Sequence, residues 1–156
     1  MTNRLEKGDR VPKLTLPATD QQTVDLSAPN GTGHVLFFYP KDNTKGCTTE
    51  AKAFSELKSQ FDALGYSIIG ISRDSLASHD RFREKQELTI ALASDEAGEA
   101  CEAFGVWVEK KMYGKTFMGI ERSTFVVESD GTVSALWRKV RVNGHSEAVL
   151  EALSNS

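Results

Sequence analysis

Residues 34–39 read His-Val-Leu-Phe-Phe-Tyr, and the next residue is Pro40. A nearly unbroken apolar run of this length suits a strand buried on both faces, at the centre of a sheet covered on each side. Pro40 ends it, having no N–H to give the ladder. A polar loop follows, Lys41-Asp42-Asn43-Thr44-Lys45-Gly46, and then Cys47. Beyond it Ala51, Phe54, Leu57, Phe61 and Leu64 recur at spacings of three and four. That spacing predicts one amphipathic helix over 48–64, capped by Thr44 or Asn43 and stopped at Gly65. Residues 66–72 form a second apolar run. Strand, helix and strand of these lengths make a parallel crossover unit.

The rest of the chain fits around that unit. Residues 11–17 alternate like a strand, and Pro12 and Pro17 confine it to a sheet edge. Asp20-Gln21-Gln22 is a turn, and residues 22–26 complete an N-terminal β-hairpin. A helix is expected over 74–87, capped by Ser75 or Asp74, then a strand over 90–95. A short helix over 98–104 carries Cys101 and stops at Gly105. A loop is expected from 109 to 117 and a strand over 122–127. Asp130-Gly131 centres a hairpin turn. Residues 133–140 pair back, and a helix over 146–153 closes the chain. The order predicts an α/β fold, a mixed central sheet with helices on both faces, in one domain over 1–156.

Charge and cysteine content narrow the function classes. The formal net charge is −3 and the pI about 5.6, which gives no general attraction to nucleic acid or an anionic membrane. The one basic run, Arg138-Lys139-Val140-Arg141, reads as a solvated strand face. No apolar run approaches the ~20 residues of a membrane span. Residues 1–10 are polar and lack the apolar core of a signal peptide, so a cytoplasmic protein is expected. Two cysteines make no disulfide framework, and in a reducing compartment such thiols are more often redox-active than structural. His34, His79 and His145 are scattered, without zinc-site spacing, and no metal or cofactor is expected.

Cys47 is therefore the centre of interest. Backbone N–H groups in a helix's first turn lack intrahelical partners, and the peptide dipoles add partial positive charge there. Cysteines so placed favour the thiolate, which is the nucleophile. The Thr44 hydroxyl, three residues earlier, can hold an oxygen beside the sulfur. Gly46 allows close backbone approach, and Lys45 adds a cation. This would suit attack on a small polar bond with stabilisation of developing negative charge. The plain alternative makes Thr44 a helix cap and Cys47 a small buried hydrophobe.

The stretch from Phe38 to Glu50, with Pro40, Thr44 and Cys47 in a Pro-x-x-x-Thr-x-x-Cys pattern, closely resembles the active-site segment of peroxiredoxins of the bacterioferritin-comigratory, or peroxiredoxin Q, subfamily. The likeness continues through Gly70-Ile71-Ser72-Arg73-Asp74-Ser75, Phe104-Gly105-Val106-Trp107 and Gly119-Ile120-Glu121-Arg122-Ser123-Thr124-Phe125, in the family's order. It implies a thioredoxin-like fold and a peroxidase acting on hydrogen peroxide and organic hydroperoxides. By the same resemblance Cys47 becomes a sulfenic acid, Thr44 hydrogen-bonds the peroxide, Pro40 shields the sulfur, and Arg122 stabilises thiolate and peroxide. Glu50 would orient Arg122.

Two departures matter. Lys45 stands where many members have proline, and is expected to be exposed. Resolving cysteines of the subfamily fall at positions occupied here by Lys52 and Arg83. Cys101 is the remaining candidate resolver, in a place where the family often has a cysteine without that role. The expectation is a one-cysteine cycle, with the sulfenic acid reduced by an external thiol such as thioredoxin, glutaredoxin or glutathione, in a monomer. Two other classes compete. A thiol-disulfide oxidoreductase needs Cys-x-x-Cys, and Cys47-Thr48-Thr49-Glu50 lacks the second thiol. A non-catalytic interaction module would have no need of Pro40, Thr44 and Arg122 together.

Overall fold

A computed structural model describes residues 5–29 and 31–155. The predicted central strand is β3, Gly33–Phe38, with all six residues buried. It pairs in parallel with β4, Tyr66–Ser72, on one side and antiparallel with β8, Ser123–Glu128, on the other. The hairpin β1, Thr15–Ala18, and β2, Gln22–Asp25, joins through β5, Ala91–Ser94, and β9, Val133–Trp137, forms the far edge. The seven-stranded order is β2-β1-β5-β4-β3-β8-β9.

Alternation along β3 divides the core. Val35, Phe37 and Tyr39 point to a face covered by α1 (Lys45–Glu56), α2 (Lys58–Ala63), α3 (Leu76–Lys85) and α5 (His145–Ser154). Leu36 and Phe38 point to the other, covered by α4 (Glu99–Ala103) and by Leu5, Val11 and Leu26 from the N-terminal segment. The fold is thioredoxin-like, with helices on both faces as expected.

Four local expectations need correction. The helix expected over 48–64 starts at Lys45 and breaks at Leu57 into α1 and α2. The apolar spacing stays in phase across the break, so periodicity could not reveal it. Thr44 has N-cap backbone geometry, but its hydroxyl donates to the Lys41 carbonyl at 2.9 Å and caps nothing. The loop expected over 109–117 is instead a ribbon, β6 (Trp107–Met112) paired with β7 (Lys115–Ile120). Finally, β9 ends at Trp137, and Arg138 does not lie on a solvated strand face. It donates to the carbonyls of Leu5 and Phe104 and stacks on the Phe125 ring, with 5.2 Å to the ring centre.

Candidate active site

The loop leaving β3 is fixed before it reaches Cys47. Asp42, nearly buried, accepts from Tyr39 Oη at 2.6 Å and Ser78 Oγ at 2.8 Å, and pairs with His79 Nδ1 at 2.8 Å. Its own N–H donates to Asp74 Oδ2 at 2.8 Å. These partners hold the Asp42 carboxyl below its ordinary value despite burial. His79 also reaches the Ala93 carbonyl at 2.9 Å. One aspartate thus ties the loop to β3 and α3. Asn43 then takes a left-handed turn, φ 65°, and Thr44 an extended one, so that α1 begins at Lys45.

The first helical bond of α1 runs from Thr48 N–H to the Thr44 carbonyl at 2.8 Å. The N–H groups of Lys45, Gly46 and Cys47 precede it and have no intrahelical acceptor. Cys47 therefore stands in the first turn, with its side chain on the buried face of α1.

Arg122, between β7 and β8, reaches that turn. Its Nη2 donates to Cys47 Sγ at 3.4 Å and its Nη1 to Glu50 Oε1 at 2.7 Å. Gly46 makes the approach possible. A Cβ there would lie 3.2 Å from Arg122 Nη2, tighter than ordinary contact. Glu50 is 1% exposed, and its Oε2 has no protein partner. Burial pushes the Glu50 carboxyl up to about 7, against the opposing pull of Arg122. Lys110 of β6 is near enough for its charge to act on both Cys47 and Arg122.

Of the residues singled out in the sequence, Cys47, Arg122 and Glu50 are brought together. Thr44 and Pro40 lie exposed on the adjoining loop, and Lys45 is exposed as expected. With the Thr44 proton given to Lys41, the hydroxyl's lone pairs are left for another donor. Cys101 is elsewhere. It belongs to the core cluster of Leu36 and Phe38, on the opposite face of the sheet from Cys47. Its N–H donates to Asp95 Oδ2 at 2.8 Å, and burial together with Asp95 pushes its thiol well up.

Three residues of the site's support escaped the sequence: Asp42, His79 and His145. His145 meets Thr124 Oγ1 at 2.7 Å and sets its ring edge-on to Phe54 of α1 and Trp137 of β9. Burial and the nearby Arg122 push it down to about 4, so it is a neutral brace. No local signal marks these residues, because the Asp42–His79 pair spans 37 positions and the Thr124–His145 pair 21. Among the described residues no cluster of three potential metal ligands occurs, and no helix is long and apolar enough to cross a membrane.

Residues 7–136 match the model of the AhpC/TSA family. Peroxiredoxin Bcp of Xanthomonas campestris is 50% identical over 142 residues, 90% of this chain and 86% of that protein. The chain belongs to the AhpC/TSA family, in its Bcp (peroxiredoxin Q) branch. Other peroxiredoxins agree. Peroxiredoxin Bcp of Bacillus subtilis is 44% identical over 151 residues, covering 97% of this chain and 96% of its own. A structure of the X. campestris bacterioferritin comigratory protein, solved with trapped intermediate and ligand in a study of alkyl peroxide reduction, superposes with a TM-score of 0.85 at 47% identity. The superposition covers 91% of this chain and 90% of that one. As a peroxiredoxin the chain is a peroxidase.

Proposed function

We propose that Cys47 is the peroxidatic nucleophile of a one-cysteine cycle whose second half is supplied by an external thiol. The observation that carries this is the pairing of Cys47 Sγ with Arg122 on one face of the sheet while Cys101 occupies the other. The Cys47 thiolate attacks the nearer peroxide oxygen. The O–O bond breaks, its electron pair leaves with the far oxygen, and protonation gives water or an alcohol. The sulfur, oxidised by two electrons, is left as a sulfenic acid.

Each neighbour has a part in that step. Arg122 is a fixed, permanently charged fork, suited to hold both the sulfur and a peroxide oxygen as negative charge moves between them. Glu50 fixes the other arm of the fork. Thr44, with its proton engaged at Lys41, accepts a hydrogen bond from the peroxide O–H and so aims the O–O bond. Pro40 walls the entrance and slows escape of the sulfenic acid to water. Hydrogen peroxide and organic hydroperoxides are the substrates. The alkyl peroxide work on the X. campestris relative supports the latter. The reductant is thioredoxin, glutaredoxin or glutathione, and the protein works as a cytoplasmic monomer.

The competing two-cysteine cycle requires Cys47 and Cys101 to approach within about 4.4–6.8 Å between Cα atoms. That would bring together two residues packed on opposite faces of the sheet, with the fully buried β3 between them. Oxidation with one equivalent of hydrogen peroxide, then mass-spectrometric mapping, separates the two. The expected product is a Cys47 sulfenic acid trapped by dimedone, with Cys101 reduced. A quantitative Cys47–Cys101 disulfide within one chain would overturn the proposal.

A further inference from the structure

We propose that the β6–β7 ribbon is the docking surface for an acidic dithiol protein that reduces oxidised Cys47. The inference rests on the one-cysteine cycle proposed above. The large hydrophobic side chains exposed among the described residues are Met112, Tyr113, Phe117 and Met118, at 58%, 96%, 44% and 49%. All four sit within one ribbon tip, which a chain with a well-filled core does not need for folding. Clustered apolar exposure of this kind marks an interaction site.

Register says which side faces the thiol. Directly opposed residues of an antiparallel pair share a face. Trp107 with Ile120 opens one face, where Ile120 is buried and Trp107 lies under Arg73, 4.5 Å from the ring centre. Val108 with Gly119, Lys110 with Phe117, and Met112 with Lys115 make the other. On this second face Lys110 lies across Gly119, where a Cβ would meet its Cδ at 3.3 Å, and its charge acts on Cys47 and Arg122. Lys110, Met112, Lys115 and Phe117 therefore share the face that flanks the reactive sulfur, while Lys111 and Met118 lie on the opposite one.

Charge selects the occupant. Residues 107–120 hold three lysines, Lys110, Lys111 and Lys115, against the single Glu109, in a chain whose formal net charge is −3. A two-fold pairing of ribbons would set lysine against lysine, which disfavours a second copy of this chain. A partner with an apolar patch rimmed by carboxylates is complementary. Docked there, its thiolate attacks the Cys47 sulfur, the S–O bond breaks, and the oxygen leaves as water after taking up a proton. The partner's second thiolate then attacks its own sulfur in the mixed disulfide. Cys47 leaves as thiolate, and the partner, oxidised by two electrons, keeps a disulfide.

The test compares two reductants on pre-formed Cys47 sulfenic acid: an acidic thioredoxin and dithiothreitol. The proteins are wild type, the Lys115→Glu/Phe117→Ser double variant, whose two positions both lie on the face of Lys110, and Tyr113→Ser. Oxidation of Cys47 by peroxide and reduction by dithiothreitol should agree with wild type within about twofold, while the rate constant with thioredoxin falls ~10-fold and loses its salt dependence in the double variant. Equal thioredoxin rates in wild type and variants would overturn the docking surface and leave the one-cysteine cycle standing. So would a wild-type sulfenic acid that dithiothreitol reduces and thioredoxin does not. A ribbon-dependent dimer, or ribbon-dependent binding to vesicles containing anionic phosphatidylglycerol, with thioredoxin rates unchanged by the substitutions, would assign the surface to another occupant. Failure to form any sulfenic acid would instead bring down the cycle itself.

Discussion

The two cysteines have nearly the same exposure, 1% for Cys47 and 0% for Cys101, and opposite surroundings. Cys47 sits in the first turn of α1 with a guanidinium N–H on its sulfur. Cys101 sits in α4, where the carboxylate of Asp95 holds the helix N–H groups of Ala100 and Cys101. That carboxylate takes up the donors that in α1 are left free, and its charge opposes a second anion beside it. Burial alone thus says nothing about thiol reactivity. The sign of the nearest charge and the occupancy of the first-turn N–H groups distinguish the surroundings of Cys47, the proposed nucleophile, from those of Cys101.

The largest test of this contrast is substitution of each cysteine. Cys47→Ser should abolish peroxide consumption, a loss of more than ~10³-fold on losing the nucleophile. Cys101→Ser should retain the rate of Cys47 oxidation within about twofold and cost stability instead, since a hydroxyl replaces a thiol in an apolar cluster. Stopped-flow peroxide consumption and thermal unfolding give the two readouts. Comparable loss of rate in both variants would break the comparison. Arg122→Met follows, removing the charge that distinguishes the two sites. A fall of roughly 10²–10³ in the rate of Cys47 oxidation is expected, by analogy with loss of one donor to a developing anion. A fall of less than about threefold would place the stabilisation of Cys47 elsewhere.

Glu50→Gln has a smaller and pH-dependent effect. The Glu50 carboxyl is raised from 4.5 to about 7 by burial. The folded state therefore keeps a proton that the unfolded state has lost across that interval. The resulting stability is present in full below 4.5 and disappears as pH rises through about 7. Orientation of Arg122 runs the other way, because only the carboxylate gives Nη1 a charged acceptor. The rate of Cys47 oxidation in wild type should gain a limb rising through about pH 7 that the variant lacks. The variant's deficit should approach ~10-fold above that pH and vanish below it. Superimposable pH profiles would exclude Glu50 from the positioning of Arg122.

What was legible in the chain was local. The buried run of β3 and the three-and-four spacing of α1 announce themselves over a dozen residues. The Cys47–Arg122 contact spans 75 positions and came only through resemblance to a family pattern. The ribbon was hidden by its lysines and by a turn of unusual residue choice. Tyr113 and Gly114 both have positive φ, at 54° and 76°, the geometry that Asn-Gly or Asp-Gly usually supplies. The anchoring of the site loop by Asp42 and His79 had no sequence signal. Each reads as an ordinary polar residue until α3 packs beside the loop.

The smallest expected effect tests the anionic half of the contrast. Asp95→Asn keeps an acceptor for the Ala100 and Cys101 N–H groups but removes the charge beside the Cys101 thiol. In a Cys47→Ser background, the ultraviolet absorbance of the Cys101 thiolate should then titrate at lower pH than with Asp95 present. Desolvation is the larger cause of the upward shift and is untouched by the substitution. The midpoint should therefore stay above the ~8.5 of a free cysteine, and peroxide should still fail to oxidise the thiol at neutral pH. An unchanged midpoint would mean that burial alone silences Cys101. A thiol made peroxide-reactive by this one change would mean that the anion, and not burial or the lack of a guanidinium N–H on the sulfur, had been holding it inert.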